Sequence, residues 1–305
     1  MSKKSILHMF DPMPHNSPFD VNMAVDAGFD IIMPYNNVNF EDTQRLVQDA
    51  IFSRGPKGVK QTAIFIGGRD MSLAYDMLTA SKRAMVPPFE VSVLADPSGA
   101  FTTAAALVAC VEKALADTTT RTMADCNVVV FGGTGPVGIA SGVIASLTGA
   151  TTTLVDHLNI HTAQDTAQEY NRLFNCQLQG AVAGNHDEKS ALLAEADIIL
   201  CAAKAGVQVI NQALLTTATQ LKVAGDVNAV PPAGIEGIKL KDFGRRFNNG
   251  SSAVGVGPLA IGDIKYKTQQ RLLRQLLTAE KPVYLDFREA FSVARHLVKL
   301  SYPPG

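Results

Sequence analysis

The sequence predicts an α/β protein of two lobes built on mostly parallel sheets, and three observations predict it. Apolar strand-like runs alternate with helix-like segments through the first hundred residues. The alternation stops at a polar stretch, "ADTTTRTMADC" (116–126), and then restarts. At 305 residues the chain is also longer than one hydrophobic core ordinarily supports. The strand-like runs are near-continuously apolar, as strands covered on both faces by crossover helices are.

The elements follow in order. "SILHMF" (5–10) predicts a strand, and a helix opens near Ser17-Pro18, with proline in a first-turn position. "FDIIM" (29–33) predicts a strand and "EDTQRLVQDAIF" (41–52) a helix with acidic residues in its first turn. "TAIFIGG" (62–68), "MSLAYDMLTASKRA" (71–84), "FEVSVLA" (89–95) and "TTAAALVACVEKAL" (102–115) continue the series. After the interruption come "NVVVFG", a helix from about Pro136, "TTTLVD" (151–156), "AQDTAQEYNRLF" (163–174), "ADIILCAA" (196–203) and "LKVAGDVN" (221–228). Beyond residue 262 two amphipathic helices close the chain. The expected division is a first domain over 1–120, a second over 121–282, and a last segment, 283–305, that returns to the first.

Bulk properties exclude several roles. Hydrophobic residues make up 47% and charged residues 18%, the balance of a folded globular chain. Lys plus Arg is 27 against 28 for Asp plus Glu, so no basic face for nucleic acid or anionic lipid is expected. Cys110, Cys126, Cys176 and Cys201 are scattered, with no CxxC, which fits reduced thiols and a cytoplasmic setting. Residues 126–155 carry no charge and are long enough to span a membrane. Their six glycines and one proline read instead as strand, turn, helix, strand.

Gly133-Thr134-Gly135-Pro136-Val137-Gly138 fits G-x-G-x-x-G directly after a strand and at the opening of a helix. In that motif the first glycine permits the turn, the second leaves space for a pyrophosphate, and the third lets helix and strand pack closely. The helix N-terminus then faces the phosphates with free N–H groups. The next strand ends at Asp156, 23 residues past Gly133, where a carboxylate would accept from the adenosine ribose hydroxyls. Together these predict a Rossmann-type NAD(P) site. Gly132, Gly135 and Gly138 also fit G-x-x-G-x-x-G, the short-chain dehydrogenase spacing. That class carries a Tyr-x-x-x-Lys pair, however, and no tyrosine here has a lysine four residues on.

Other constellations are weaker. His157 and His161 could share a helix face as metal ligands, but no glutamate follows His157 and no metal site is expected. His157 is expected only beside the nucleotide. "GDVNAVPPAGI" (225–235) follows a strand where a loop commonly passes the nicotinamide, which makes Asn228 a candidate; an ordinary turn residue reads the same. Lys265, in "IGDIKYK" (261–267), follows the Gly-rich "GVGPLAIG" at an expected helix start, where that segment would suit the wall of a cleft.

"FDV" (19–21), "TAIFIGGRDM" (62–71), "TTAAA" (102–106), "GTGPVG" (133–138), "NAVPPAGI" (228–235) and "IGDIKYK" (261–267), in this order, resemble the bacterial NAD(P)-dependent methylene-tetrahydromethanopterin dehydrogenases. The resemblance runs over most of the chain. It implies a two-lobed subunit with the pterin between the lobes, hydride transfer to NAD or NADP, and a homo-oligomer. It also implies that Lys265 is the active-site lysine and that Asp20, Thr102 and Thr103 lie with the substrate. Hydride leaves a carbon between two nitrogens and the methenyl product shares its charge over N–C–N, so no general base is obligatory and proximity can carry the reaction. Tetrahydrofolate presents a similar pterin head and stays open as a substrate.

Two further readings stand beside it. One is a shikimate-dehydrogenase-like alcohol oxidoreductase, which needs a Lys–Asp pair that Lys60 or Asp96 would have to supply. The other is a non-catalytic NAD(P) sensor. The catalytic Tyr-x-x-x-Lys of the bifunctional folate dehydrogenase-cyclohydrolases is missing too, so no cyclohydrolase activity is expected.

Overall fold

The alternation of apolar runs and helices becomes two parallel sheets in the computed structural model, which describes residues 3–248 and 251–303. The first series is β1 (Ile6–Phe10), α1 (Pro18–Ala27), β2 (Ile31–Tyr35), α2 (Phe40–Phe52), α3 (Pro56–Val59), β3 (Thr62–Ile66), α4 (Met71–Arg83), β4 (Ser92–Ala95) and α5 (Ala100–Thr118). The second is β5 (Asn127–Phe131), α6 (Pro136–Leu147), β6 (Thr151–Asp156), α7 (Ile160–Phe174), β7 (Leu178–Val182), α8 (His186–Ala194), β8 (Ile198–Cys201), α9 (Gln212–Thr217) and β9 (Val223–Asp226). The chain ends with β10 (Phe243–Arg246), β11 (Val254–Val256), α10 (Pro258–Thr278), β12 (Tyr284–Leu285) and α11 (Phe287–Ser301).

One sheet has the order β12-β4-β3-β1-β2 and is parallel throughout. The other has the order β10-β11-β9-β8-β5-β6-β7, with only β10 antiparallel. Central strands β3, β4, β8 and β9 are buried at every residue, which explains their unbroken apolar texture. In the second sheet the chain runs from β5 outward through β6 to β7, then returns to β8 on the other side. The reversal lies between β5 and β8, and in such sheets ligands bind beyond the carboxyl ends of the strands at that point.

By contacts the chain divides into one unit of Met1–Thr102 with Tyr266–Val293 and another of Thr103–Lys265 with Ala294–Gly305. The divisions fall inside α5, α10 and α11, not at the polar stretch near residue 120. β12 pairs with β4 in the first sheet, whereas Arg295 of α11 belongs to the second unit and grips Glu112 of α5 through two 2.6 Å hydrogen bonds.

Pro97–Thr118 is long and apolar enough to cross a membrane by composition, but 78% of its apolar window is buried in the fold. Within the second unit the absent side chain of Gly225 in β9 admits Leu107 and Val111 of α5, which a Cβ would meet at 2.7 Å. The uncharged stretch 126–155 is β5, the glycine turn, α6 and most of β6.

Candidate nucleotide site

Four glycines build the turn after β5, and they do different things. Gly132 is left-handed at φ +70°, and a Cβ on it would meet the Ala202 carbonyl oxygen at 2.6 Å. It makes the sharp turn expected of Gly133, because the backbone reverses one residue earlier than the motif suggests. Gly133 instead lies on β6: its N–H donates to the Val155 carbonyl at 3.1 Å, and a Cβ would meet the Val155 nitrogen at 2.6 Å. Gly138, in the first turn of α6, packs on the Gly132 carbonyl, which a Cβ would meet at 2.1 Å.

Gly135 differs. Its backbone is ordinary extended chain (φ −87°, ψ 162°), and a Cβ would meet only the Gly132 carbonyl, at 3.5 Å. Nothing inside the protein demands a glycine here, so the free volume is on the outside of the turn, where the motif puts a pyrophosphate. Gly135 caps α6 without a side chain, Pro136 takes the first helical position, and no acidic residue lies in the first turn. The helix therefore presents the unpartnered N–H groups and positive end that an anion favours. Thr134, Pro136 and Val137 are partly exposed along this rim.

Asp156 ends β6 beside the turn. Its Oδ1 accepts from the Leu158 and Asn159 N–H groups at 2.8 and 2.9 Å, and its Oδ2 accepts from the Thr134 hydroxyl at 2.9 Å. Partial burial pushes its pKa up, but these donors and nearby His157 outweigh it and hold the carboxyl below the usual carboxylate range. The carboxylate is thus fixed in place and favoured in its ionised form. His157, Leu158 and Asn159 are exposed, and no Lys or Arg follows until Arg172. His161 is exposed as well, and among the described residues no cluster of His, Cys, Asp and Glu could hold a metal.

Asn228 is buried and does the work of a brace. Its Oδ1 accepts from the N–H groups of Gly206 and Val230 at 3.1 and 2.9 Å, and its Nδ2 donates to the Pro232 carbonyl at 2.8 Å. Sequence reasoning missed the residues under it. Asp226, with no exposed surface, ends β9; its Oδ1 accepts from Asn228 N–H at 2.9 Å and its Oδ2 from Ile235 N–H at 3.0 Å. Burial raises the Asp226 pKa despite these donors, and burial beside that carboxylate pushes the Cys201 thiol up to about 12. An aspartate ending an apolar run was the available signal for Asp226; nothing local marks Cys201.

The expected substrate residues divide between the units. In the first, Asp20 is buried in α1 and accepts from Gln269 Nε2 of α10 at 2.6 Å. Thr102 is fully buried, and its hydroxyl and N–H donate to the Asp96 carboxylate at 2.7 and 3.1 Å. Thr103, the next residue of α5, begins the second unit and is partly buried. Lys265, in the second unit, is also partly buried. It does not open a helix: α10 begins at Pro258, so "GVGPLAIG" is the end of β11 and the first turns of α10 rather than a loop. Proline suits the first position, and burial of Ile261 and Ile264 outweighs the low helix propensity of Gly262.

Residues 18–98 match the family model "Methylene-tetrahydromethanopterin dehydrogenase, N-terminal". The chain is 45% identical over 292 residues to the NAD(P)-dependent methylenetetrahydromethanopterin dehydrogenase of Methylorubrum extorquens, covering 95% of this chain and 98% of that one. The chain belongs to this dehydrogenase family. It is also 33% identical to a protein of the same organism named Bifunctional protein MdtA, over 97% of this chain and all of the other. Shikimate 5-dehydrogenase from Listeria monocytogenes, solved with shikimate and NAD, shares the fold at a TM-score of 0.52 and 14% identity, with 96% of each chain covered. The glycine turn, the open face of Gly135 and the fixed carboxylate of Asp156 fit the NAD(P) that this family uses.

Proposed function

We propose that this dehydrogenase oxidises methylene-tetrahydromethanopterin to the methenyl form, with NAD(P) as hydride acceptor. The observation that carries the reading is the family relationship over nearly the whole chain, and a glycine turn in which Gly135 has room for a side chain, where the motif would put a pyrophosphate, supports it. Gly132 through Gly138 would hold the pyrophosphate and Asp156 the adenosine ribose. The bound nicotinamide supplies the carbon that accepts hydride. Lys265 orients the pterin by hydrogen bonds, since a cation aimed at a forming cation would oppose the reaction. Asp20, Thr102 and Thr103 belong to the same substrate site. Catalysis rests on position, with no proton to remove. The protein works in the cytoplasm as a homo-oligomer, without nucleic-acid or membrane partners.

The alcohol-oxidoreductase alternative has little support, because Asp96 is fully buried on Thr102 and Lys60 is exposed. The test is the rise of methenyl-pterin absorbance with tetrahydromethanopterin and tetrahydrofolate substrates and each nucleotide. Turnover of the methanopterin substrate is expected; binding of reduced nucleotide without turnover of either pterin would leave a sensor instead.

A further inference from the structure

We propose that Asp226 is a positioning residue: it clasps the 227–235 loop into a wall for the nicotinamide half of the dinucleotide. This rests on the nucleotide reading of the site above. The strand order supplies the direction. Asp156, on the adenosine side, ends β6, one strand to one side of the β5 turn. β8 and β9 lie one and two strands to the other side, at about 4.8 Å per strand. A dinucleotide with its pyrophosphate on the β5–α6 turn and its adenosine over β6 therefore extends its other half over the chain beyond β8 and β9. Contact between these parts is direct, since Gly132 lies against Ala202, the residue after β8.

That chain is held from beneath by one carboxylate. Asp226 closes the loop from both ends, taking the N–H of Asn228 on one oxygen and that of Ile235 on the other. Gly234 is glycine because a Cβ there would meet the Cys201 Sγ at 2.7 Å and Asp226 Oδ1 at 2.8 Å. The closed loop then fixes the one after β8: Gly234 carbonyl accepts from Val209 and Ile210, and Asn228 Oδ1 accepts from Gly206. Asp226 touches no solvent, so it acts only through the loop.

The test compares NADH with ADP-ribose, which lacks the nicotinamide, by calorimetry on the full chain and its Asp226→Asn variant. The amide has one acceptor oxygen where the carboxylate has two, so one end of the loop is released. Expected is an NADH affinity at least about tenfold weaker, with ADP-ribose affinity unchanged within about twofold. Equal weakening of both ligands, or of neither, overturns the proposal. Should Asp226→Asn fail to fold, Gly234→Ala disturbs the same clasp from the loop side, since its Cβ would meet Asp226 Oδ1 at 2.8 Å, and the same split is expected. Wild-type protein that binds neither ligand overturns the nucleotide reading and this inference together. The expected split in a chain that oxidises no methylene-pterin supports the inference while the proposed reaction fails.

Discussion

The Thr134 hydroxyl donates to Asp156 Oδ2 at 2.9 Å and so ties the glycine turn to the end of the neighbouring strand. On the proposed reading the bond would join the residue beside the pyrophosphate to the one beside the adenosine ribose.

With Asp156 placed at the ribose as proposed, nucleotide choice would follow from that carboxylate. It would accept from the free 2′-hydroxyl of NAD and repel the 2′-phosphate of NADP. Like charges at ~4 Å and an effective dielectric of about 20 cost roughly 4 kcal/mol before relaxation, and solvent reduces this to a preference. NAD is expected to be used well, and Asp156→Ser is expected to move the ratio of kcat/KM values towards NADP. Wild-type turnover with NADP alone would show that Asp156 does not meet the ribose.

The same group predicts a pH dependence. Its folded pKa lies below the unfolded value of about 3.9, so its contribution is complete above that value and is lost as pH falls through the lower, folded one. NAD affinity should therefore stay level, as far as Asp156 sets it, from neutral pH to about pH 4. Calorimetric titration of the folded protein checks this. A loss of affinity centred near pH 6 that disappears in Asp156→Asn would show the carboxyl to be raised instead.

The glycines of the turn separate binding from folding. Gly135→Val should abolish nucleotide binding while the melting temperature hardly changes, because a Cβ there meets only one atom, at 3.5 Å. Gly138→Ala should destabilise the protein by several kcal/mol, since its Cβ would fall 2.1 Å from the Gly132 carbonyl oxygen. Thermal melts and calorimetry on the two variants decide it. Normal nucleotide affinity in Gly135→Val would remove the pyrophosphate from this turn.

Lys265→Ala is expected to lower kcat or raise the pterin KM by about tenfold or more, with the nucleotide KM changed far less. Steady-state kinetics of the mutant equal to the parent's would make Lys265 an ordinary helix residue.

How much was readable in the sequence depends on range. The turn and Asp156 were legible because strand, turn, helix and strand follow one another, so spacing alone brings them together. The role of Gly132 was not, since either glycine register fits the letters and only the backbone shows which residue is left-handed. Asp226 and Cys201 stand 25 residues apart and meet only because β8 and β9 are neighbours. β10, β11 and β12 have two to four residues each and took their form from the sheets they joined. β7 is an edge strand with a glycine at its centre, and α8 has almost no apolar face.

Direct hydride transfer from the pterin's methylene carbon, without a proton-removing base, is the step on which the proposed function stands. Its most direct test uses methylene-tetrahydromethanopterin carrying two deuteriums on that carbon, incubated with the protein and NAD or NADP in ordinary water. One deuterium is expected at C4 of each reduced nicotinamide, on a single face, and one retained in the methenyl product. Reduced nucleotide carrying solvent hydrogen at C4, or deuterium lost to water, would contradict direct transfer.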